Sequence, residues 1–239
     1  MSRKLLLSIG NTHAVLASPG LAWSRRVPTA SLGEAPLDEL VEPCRVLCAG
    51  VVPALRDQLA RHHPDAHFRF LSAADFHGLL DLEGIRGIGM DRLCNAVAAL
   101  ELLPLPALVI DCGTCLTGTA VAPGGKVLGG FILPGRRLAR SALASGTGQL
   151  PEVPLSSEIP KLLGEDTAAA IRSGIDLGSV EAVKGLASLA AGAGQQVFLT
   201  GGDAPWFLQN SGLSAAPAEF TLRGLDRVHH HLSQVRNAP

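Results

Sequence analysis

The sequence predicts a two-lobed α/β protein in which each lobe is a mixed β-sheet flanked by helices. Three observations predict it. The apolar run Leu5-Leu6-Leu7-Ser8-Ile9 breaks at Gly10-Asn11-Thr12 and resumes as Ala14-Val15-Leu16-Ala17, the pattern of two strands joined by a tight turn. The same form returns in Ala107-Leu108-Val109-Ile110-Asp111, Cys112-Gly113-Thr114 and Leu116 to Val121. Its turn glycine lies about a hundred residues after Gly10, a lobe-sized interval. A third glycine turn, Gly201-Gly202, follows the extended segment Gln195 to Thr200.

The elements follow in chain order. After the first strand pair, Trp23 to Val27 reads as a third strand and Pro28 to Pro36 as a loop. Arg45 to Ala49 is extended, Leu55 to Arg61 helical, and Phe68 to Leu71 extended again. Asp91 opens a helix: Leu93, Val97 and Leu100 share a face, with Ala96, Ala98 and Ala99 as strong helix formers. Pro104 and Pro106 close it. They divide the chain into an N-terminal lobe, residues 1–105, and a C-terminal lobe, residues 106–239. Beyond Gly201-Gly202, Pro205 suits the first turn of another helix. His229-His230-His231 reads as a solvated helix end.

Composition narrows the function. The chain has 239 residues, 47% of them hydrophobic, which is enough for a core and argues against disorder. With 17% charged residues and a net charge of -1, it lacks the basic excess of a nucleic-acid or membrane-surface binder. No unbroken apolar stretch is long enough for a membrane span. Met-Ser-Arg-Lys runs directly into Leu5 and the run breaks at Ser8, so the start reads as a first strand in a cytoplasmic protein. Five cysteines, an odd number, fit a reducing compartment. The Cys112/Cys115 spacing has no second pair to complete a zinc ribbon.

The glycine turns carry the chemistry. Neither a P-loop string nor a complete Gly-x-Gly-x-x-Gly is present. A turn between two strands offers its backbone N–H groups and a Thr hydroxyl as an anion-binding concavity. Two such turns facing each other would clamp a polyphosphate. A carboxylate at the strand end, Asp111, would hold the counter-cation that phosphoryl transfer requires. In Gly87-Ile88-Gly89-Met90-Asp91-Arg92, Asp91 is either a helix cap or a general base taking a proton from a substrate hydroxyl. Arg92 beside it suits a substrate carboxylate.

Taken together, Ser8-Ile9-Gly10-Asn11-Thr12, Gly89-Met90-Asp91-Arg92, Asp111-Cys112-Gly113-Thr114 and Thr200-Gly201-Gly202-Asp203 resemble, in order, the first phosphate motif, the substrate motif, the second phosphate motif and the adenosine motif of type III pantothenate kinases. Gly50-Val51-Val52-Pro53, Leu128 to Gly135, Leu150-Pro151 and Thr167 to Gly174 also resemble family segments. The resemblance implies the actin-like ATPase (ribonuclease H-like) superfold. It implies transfer of the ATP γ-phosphoryl group to pantothenate, the first step of coenzyme A synthesis. A homodimer, Mg²⁺ and a monovalent cation (K⁺ or NH₄⁺) are implied as well. By position, Asp91 is the general base, and Gly89, Met90, Asp91 and Arg92 hold pantothenate. Thr167 would reach pantothenate across the dimer interface. Ser8, Ile9, Gly10, Asn11, Thr12, His13, Ala14 and Val15 would line the ATP phosphates, with Thr114, Gly201 and Gly202 as further ATP contacts. Asp111 would ligate the monovalent cation.

The chain departs from the family pattern in three places. Ser8 stands where the family usually has Asp, and a hydroxyl is a weaker Mg²⁺ ligand than a carboxylate. The chain has no Tyr, although the family often places one in the pocket before the substrate motif. Cys115-Leu116 replaces small or hydroxyl residues. Ser8 favours a second reading, a weak or inactive relative acting as an accessory protein. Asp91, Arg92, Asp111 and Thr114 favour the active kinase.

Overall fold

The computed structural model describes residues 3–34, 37–40, 42–50 and 53–235. Val51 and Val52 of the Gly50 segment, and the Ala35-Pro36 end of the loop expected after Pro28, lie outside the described residues. The elements, in order, are β1 (Arg3–Ile9), β2 (His13–Ala17), β3 (Ser24–Pro28), β4 (Cys44–Ala49), α1 (Pro53–His62) and β5 (Ala66–Phe70). Then come α2 (Met90–Leu102), β6 (Ala107–Cys112), β7 (Cys115–Val121), β8 (Val127–Pro134), α3 (Arg136–Gly146) and α4 (Thr167–Gly192). β9 (Gln196–Thr200), α5 (Ala204–Ser211), β10 (Ser214–Ala215) and α6 (Phe220–Val235) complete the chain. No helix among the described residues is long and apolar enough to cross a membrane.

Two compact units form. The first contains a sheet in the order β3-β2-β1-β4-β5. β1–β2 and β2–β3 are antiparallel, while β1–β4 and β4–β5 are parallel. Leu5, Leu7 and Ile9 point to one face of β1 and pack with Leu16, Val46 and Cys48 under Leu55 and Leu59 of α1. Leu6, between them, is fully buried on the opposite side, as the period of a strand buried on both faces requires.

The second unit's sheet, read from its far edge, is β8-β7-β6-β9-β10. β6–β7 is antiparallel, and β6–β9 and β9–β10 are parallel. Counted from the first strand of each unit, both sheets run third, second, first, fourth, fifth. The repeat read from two glycine turns therefore extends through a whole sheet. Leu108, Ile110 and Cys112 of β6 pack with Leu199, with Val180 and Val183 of α4, and with Trp206 and Phe207 of α5.

Two expectations need correction. The C-terminal segment, assigned to the second lobe, belongs to the first unit. α6 buries Phe220, Leu222, Leu225 and Val228 and packs along α2. Gly224 brings the two helices close, because any Cβ there would overlap the Cys94 carbonyl. Thr221 Oγ1 donates to Asn95 Oδ1 at 2.7 Å beside it. The histidine run is also only partly solvated. His230 is exposed and His229 half-buried, and His231 Nε2 lies 3.1 Å from the His77 carbonyl oxygen.

Candidate functional site

In the first unit the β1–β2 turn is closed by Gly10 N–H donating to the His13 carbonyl at 3.0 Å. Asn11 and Thr12 form its tip. Gly10, Asn11, Thr12 and His13 are exposed, Ser8 and Val15 are half-buried, and Ile9 and Ala14 are buried. Thr29, which sequence reasoning passed over, braces the turn. Its N–H donates to Thr12 O at 2.9 Å and its hydroxyl to Gly10 O at 2.7 Å. The visible cue was a Thr directly after the strand that pairs with His13. Gly50 follows β4 at φ 102°, with its Cα against the Ile9 carbonyl, where a side chain has no room.

The substrate motif in the same unit forms the start of α2. Gly89 O accepts from Leu93 N–H at 3.1 Å, so Gly89 occupies the cap position and Asp91 lies in the first turn. There the unpaired N–H groups of the helix favour a carboxylate. The Asp91 carboxylate folds back over Gly89, occupying the space that any Cβ there would need. Asp91 and Arg92 are half-buried, and every residue from Leu93 to Ala99 is buried, which fixes the helix bearing them. Burial lowers the Arg92 pKa from its ordinary value, and the neighbouring Asp91 opposes that shift.

The second unit contains Asp111, Thr114, Thr167, Gly201 and Gly202. Asp111 pairs with Thr117 on β7 and Thr200 on β9, as Ser8 pairs with Val15 and Ala49 in the first unit. Ser8 and Asp111 therefore occupy equivalent places in the two sheets. Gly113 N–H donates to Cys115 O at 3.0 Å, and Thr114 O accepts from Gly135 N–H at 2.9 Å. Gly201 follows β9 at φ 97°, in the place that Gly50 holds in the first unit. Its missing side chain leaves room for the Asp111 carboxylate and the Cys112 backbone. Asp203 N–H then donates to Cys112 O at 2.8 Å. Asp111, Gly113, Gly201 and Asp203 thus form one connected turn cluster. Thr167 stands apart from that bonding pattern as the exposed first residue of α4, behind the cap formed by Asp166 Oδ1 and Ala169 N–H at 2.7 Å.

Behind the cluster lies a buried charge network that sequence reasoning missed. Arg136 donates to both Asp203 oxygens, at 2.9 and 2.7 Å, and approaches Asp176 Oδ2 at 3.4 Å. Arg140 donates to both Asp176 oxygens at 2.6 Å. The Arg136 guanidinium lies 3.6 Å from the Trp206 ring centroid. The cue was two arginines one helical turn apart with no acidic residue on the same helix. Removing one partner of such a buried pair costs about 3–5 kcal/mol. A cavity of about 350 Å³ opens beside Arg136, Gly202, Asp203 and Trp206. A larger one, about 400 Å³, is bounded by residues 156–172 and includes none of the expected site residues in its lining.

Four of the cysteines, Cys44, Cys48, Cys94 and Cys112, are buried and poor candidates for chemistry. All five are free thiols. Burial, with the nearby Asp111 and Asp203 carboxylates, pushes the Cys112 thiol well up, so its thiolate is suppressed. Among the described residues no group of three or more His, Cys, Asp or Glu side chains converges as a metal site would. Asp111 supplies a hard, charged carboxylate at its turn. Ser8, its counterpart, supplies a neutral oxygen.

Comparison with known proteins places the chain in a family. The profile of type III pantothenate kinases matches residues 4–189. A type III pantothenate kinase of Rhodospirillum rubrum is 39% identical over 157 residues, covering 64% of this chain and 58% of that one. One from Anaeromyxobacter dehalogenans strain 2CP-C is 34% identical over 200 residues, covering 79% and 78%. The matches to R. rubrum and to Ruegeria span less than two thirds of those relatives' length, 58% and 59%. Among solved structures, a protein described as a Baf-family transcriptional activator from Campylobacter jejuni superposes with TM-score 0.64 at 20% identity, covering 96% of this chain and 99% of that one. One described as a 2-dehydro-3-deoxygalactonokinase from Sinorhizobium meliloti gives 0.57 at 17%, covering 96% of each. These two likenesses speak to the fold alone, two mixed sheets flanked by helices. With four motifs in order on that scaffold and a profile matching most of its length, this chain belongs to the type III pantothenate kinase family.

Proposed function

We propose that this protein transfers the γ-phosphoryl group of ATP to the primary hydroxyl of pantothenate, giving 4′-phosphopantothenate. The observation that carries this reading is Gly89-Met90-Asp91-Arg92 at the start of α2, in a chain of this family. Its acid is half-buried in the first turn of a rigid helix beside an arginine. Asp91 takes the hydroxyl proton as that oxygen attacks phosphorus, and the bond to the ADP oxygen breaks. Arg92 pairs with the pantothenate carboxylate, and Gly89 and Met90 supply backbone contacts. Thr167 adds a contact from the partner copy of a homodimer. The turn from Ser8 to Val15, Thr114, and Gly201-Gly202 bind the nucleotide. Asp111 holds K⁺ or NH₄⁺. Mg²⁺, when bound, neutralises phosphate charge. Ser8 would offer that ion a neutral hydroxyl, a weaker ligand than a carboxylate. The protein works in the cytoplasm.

The test is pantothenate-dependent ADP release by the purified chain, with and without K⁺. Turnover is expected, stimulated by K⁺, and Asp91→Asn should reduce kcat by about 10²–10⁴. Full activity in Asp91→Asn would remove the assigned base. No turnover by the parent at any Mg²⁺ concentration would leave the accessory-protein reading that Ser8 favours.

A further inference from the structure

We infer that Arg136 is a positioning residue for the nucleotide: it holds the Gly201-Gly202 turn and cancels the Asp203 charge beside it. The inference rests on the reading that this turn binds ATP. Asp203 is fixed from two sides. Its N–H is bonded to Cys112 O at 2.8 Å, and its carboxylate is gripped by Arg136 through two bonds, at 2.9 and 2.7 Å. Only Gly201 and Gly202 lie between this anchor and the end of β9, and Gly201 already sits at φ 97° over Asp111. The turn's N–H groups therefore point where Arg136 and Cys112 set them. Arg136 is itself confined. It is 2% exposed, stacks on Trp206 at 3.6 Å and donates to Ser156 O at 3.3 Å. Arg140 satisfies Asp176 separately through both oxygens, which leaves Arg136 directed chiefly at Asp203.

Charge gives the second half of the inference. A nucleotide bound at Gly201-Gly202 is an anion, and an unpaired Asp203 carboxylate beside the turn would repel it. The bidentate guanidinium removes that repulsion. A lysine in its place offers one point charge and no fork. A role confined to folding predicts equal effects on both substrates. A positioning role predicts a selective loss for the nucleotide, reversed when the stranded carboxylate is also neutralised.

The test uses the full chain, with MgADP binding measured by calorimetry and steady-state kinetics in parallel. Arg136→Met is expected to weaken MgADP about tenfold and to raise KM for ATP similarly, with KM for pantothenate within about twofold. Arg136→Met/Asp203→Asn should recover MgADP affinity to within about threefold of the parent. If Arg136→Met is insoluble, Arg136→Lys decides, with an expected weakening of about threefold. Unchanged MgADP affinity in the soluble variants would overturn the inference. So would an equal rise in both KM values, or a double variant no better than the single. A parent that binds MgADP without pantothenate-dependent turnover would sink the proposed function and leave the Arg136 affinities to decide this inference. A parent that binds no MgADP would sink both.

Discussion

Ser8 is the residue whose replacement by Asp should change the chemistry most. It pairs with Val15 and Ala49 as Asp111 pairs with Thr117 and Thr200, so the backbone at both places is already shaped to carry a strand-end side chain near the turn. Ser8→Asp adds a charged oxygen without altering that backbone. The Mg²⁺ concentration for half-maximal activity should fall, by about tenfold if the new carboxylate joins the ion's ligands. A titration of activity against Mg²⁺ at saturating ATP checks it, and an unchanged midpoint would mean that Ser8 lies outside the metal's reach. Single residues were the most legible part of the sequence. Glycines at turns and an acid at a helix start leave a local signature, and the positions of Gly10, Gly113, Gly201 and Asp91 follow from neighbours within a few residues. Thr29 and Arg136 were not legible because their partners, Gly10 and Asp203, lie far away in sequence.

At the scale of elements, the pairing of α2 with α6 supports Asp91. α6 lies beyond the span that matches the family profile, yet it packs along the helix that starts with the proposed base. The contact centres on Gly224 against the Cys94 carbonyl, less than one turn from Asp91. Gly224→Ala sets two effects against each other. Alanine in a helix is favoured over glycine by about 1 kcal/mol, whereas a methyl forced into backbone costs about 1–3 kcal/mol. The obstacle is a helical carbonyl, which cannot rotate aside as a flexible side chain would, so the overlap should win. A lower urea midpoint is expected, with kcat reduced as α2 is displaced. A more stable Gly224→Ala would show that the helices separate freely. The sequence alone does not place α6, because a helix's partner is decided by its apolar face and not by its nearest neighbours in the chain. α4 was only half-visible, its start lying in the family-like segment Thr167 to Gly174 without an assigned element, because small residues such as Ala and Gly give it a weak helical period.

For the whole molecule, the repeated sheet order shows that the two hairpins seen in sequence were ends of a much larger likeness, invisible in the residues because the repeat preserves topology rather than side chains. The units also differ in how they should respond to acid. His63 is 2% exposed and accepts the Leu37 N–H at Nε2, 3.3 Å away, which requires the neutral ring. Burial, with a smaller effect from His62, holds its pKa below the ordinary 6.5. Burial likewise depresses His229, with Lys4 and His230 adding to the shift and Asp226 opposing it. Both histidines are in the first unit. A base whose folded pKa lies below its unfolded value binds protons preferentially in the unfolded chain. Stability is therefore lost as pH falls through about 6.5, and the loss levels off below the depressed folded values. The two tryptophans provide one reporter in each unit, Trp23 in the first and Trp206 in the second. Urea unfolding followed by fluorescence from about pH 7 to about pH 5 should show the first-unit transition moving to lower urea. In Trp23→Phe, where only Trp206 emits, the shift should be smaller. His63→Gln retains a hydrogen-bonding side chain without a titrating ring and should lessen the acid dependence of the first unit, leaving the part due to His229. An acid dependence as steep in His63→Gln as in the parent would assign the effect to other groups.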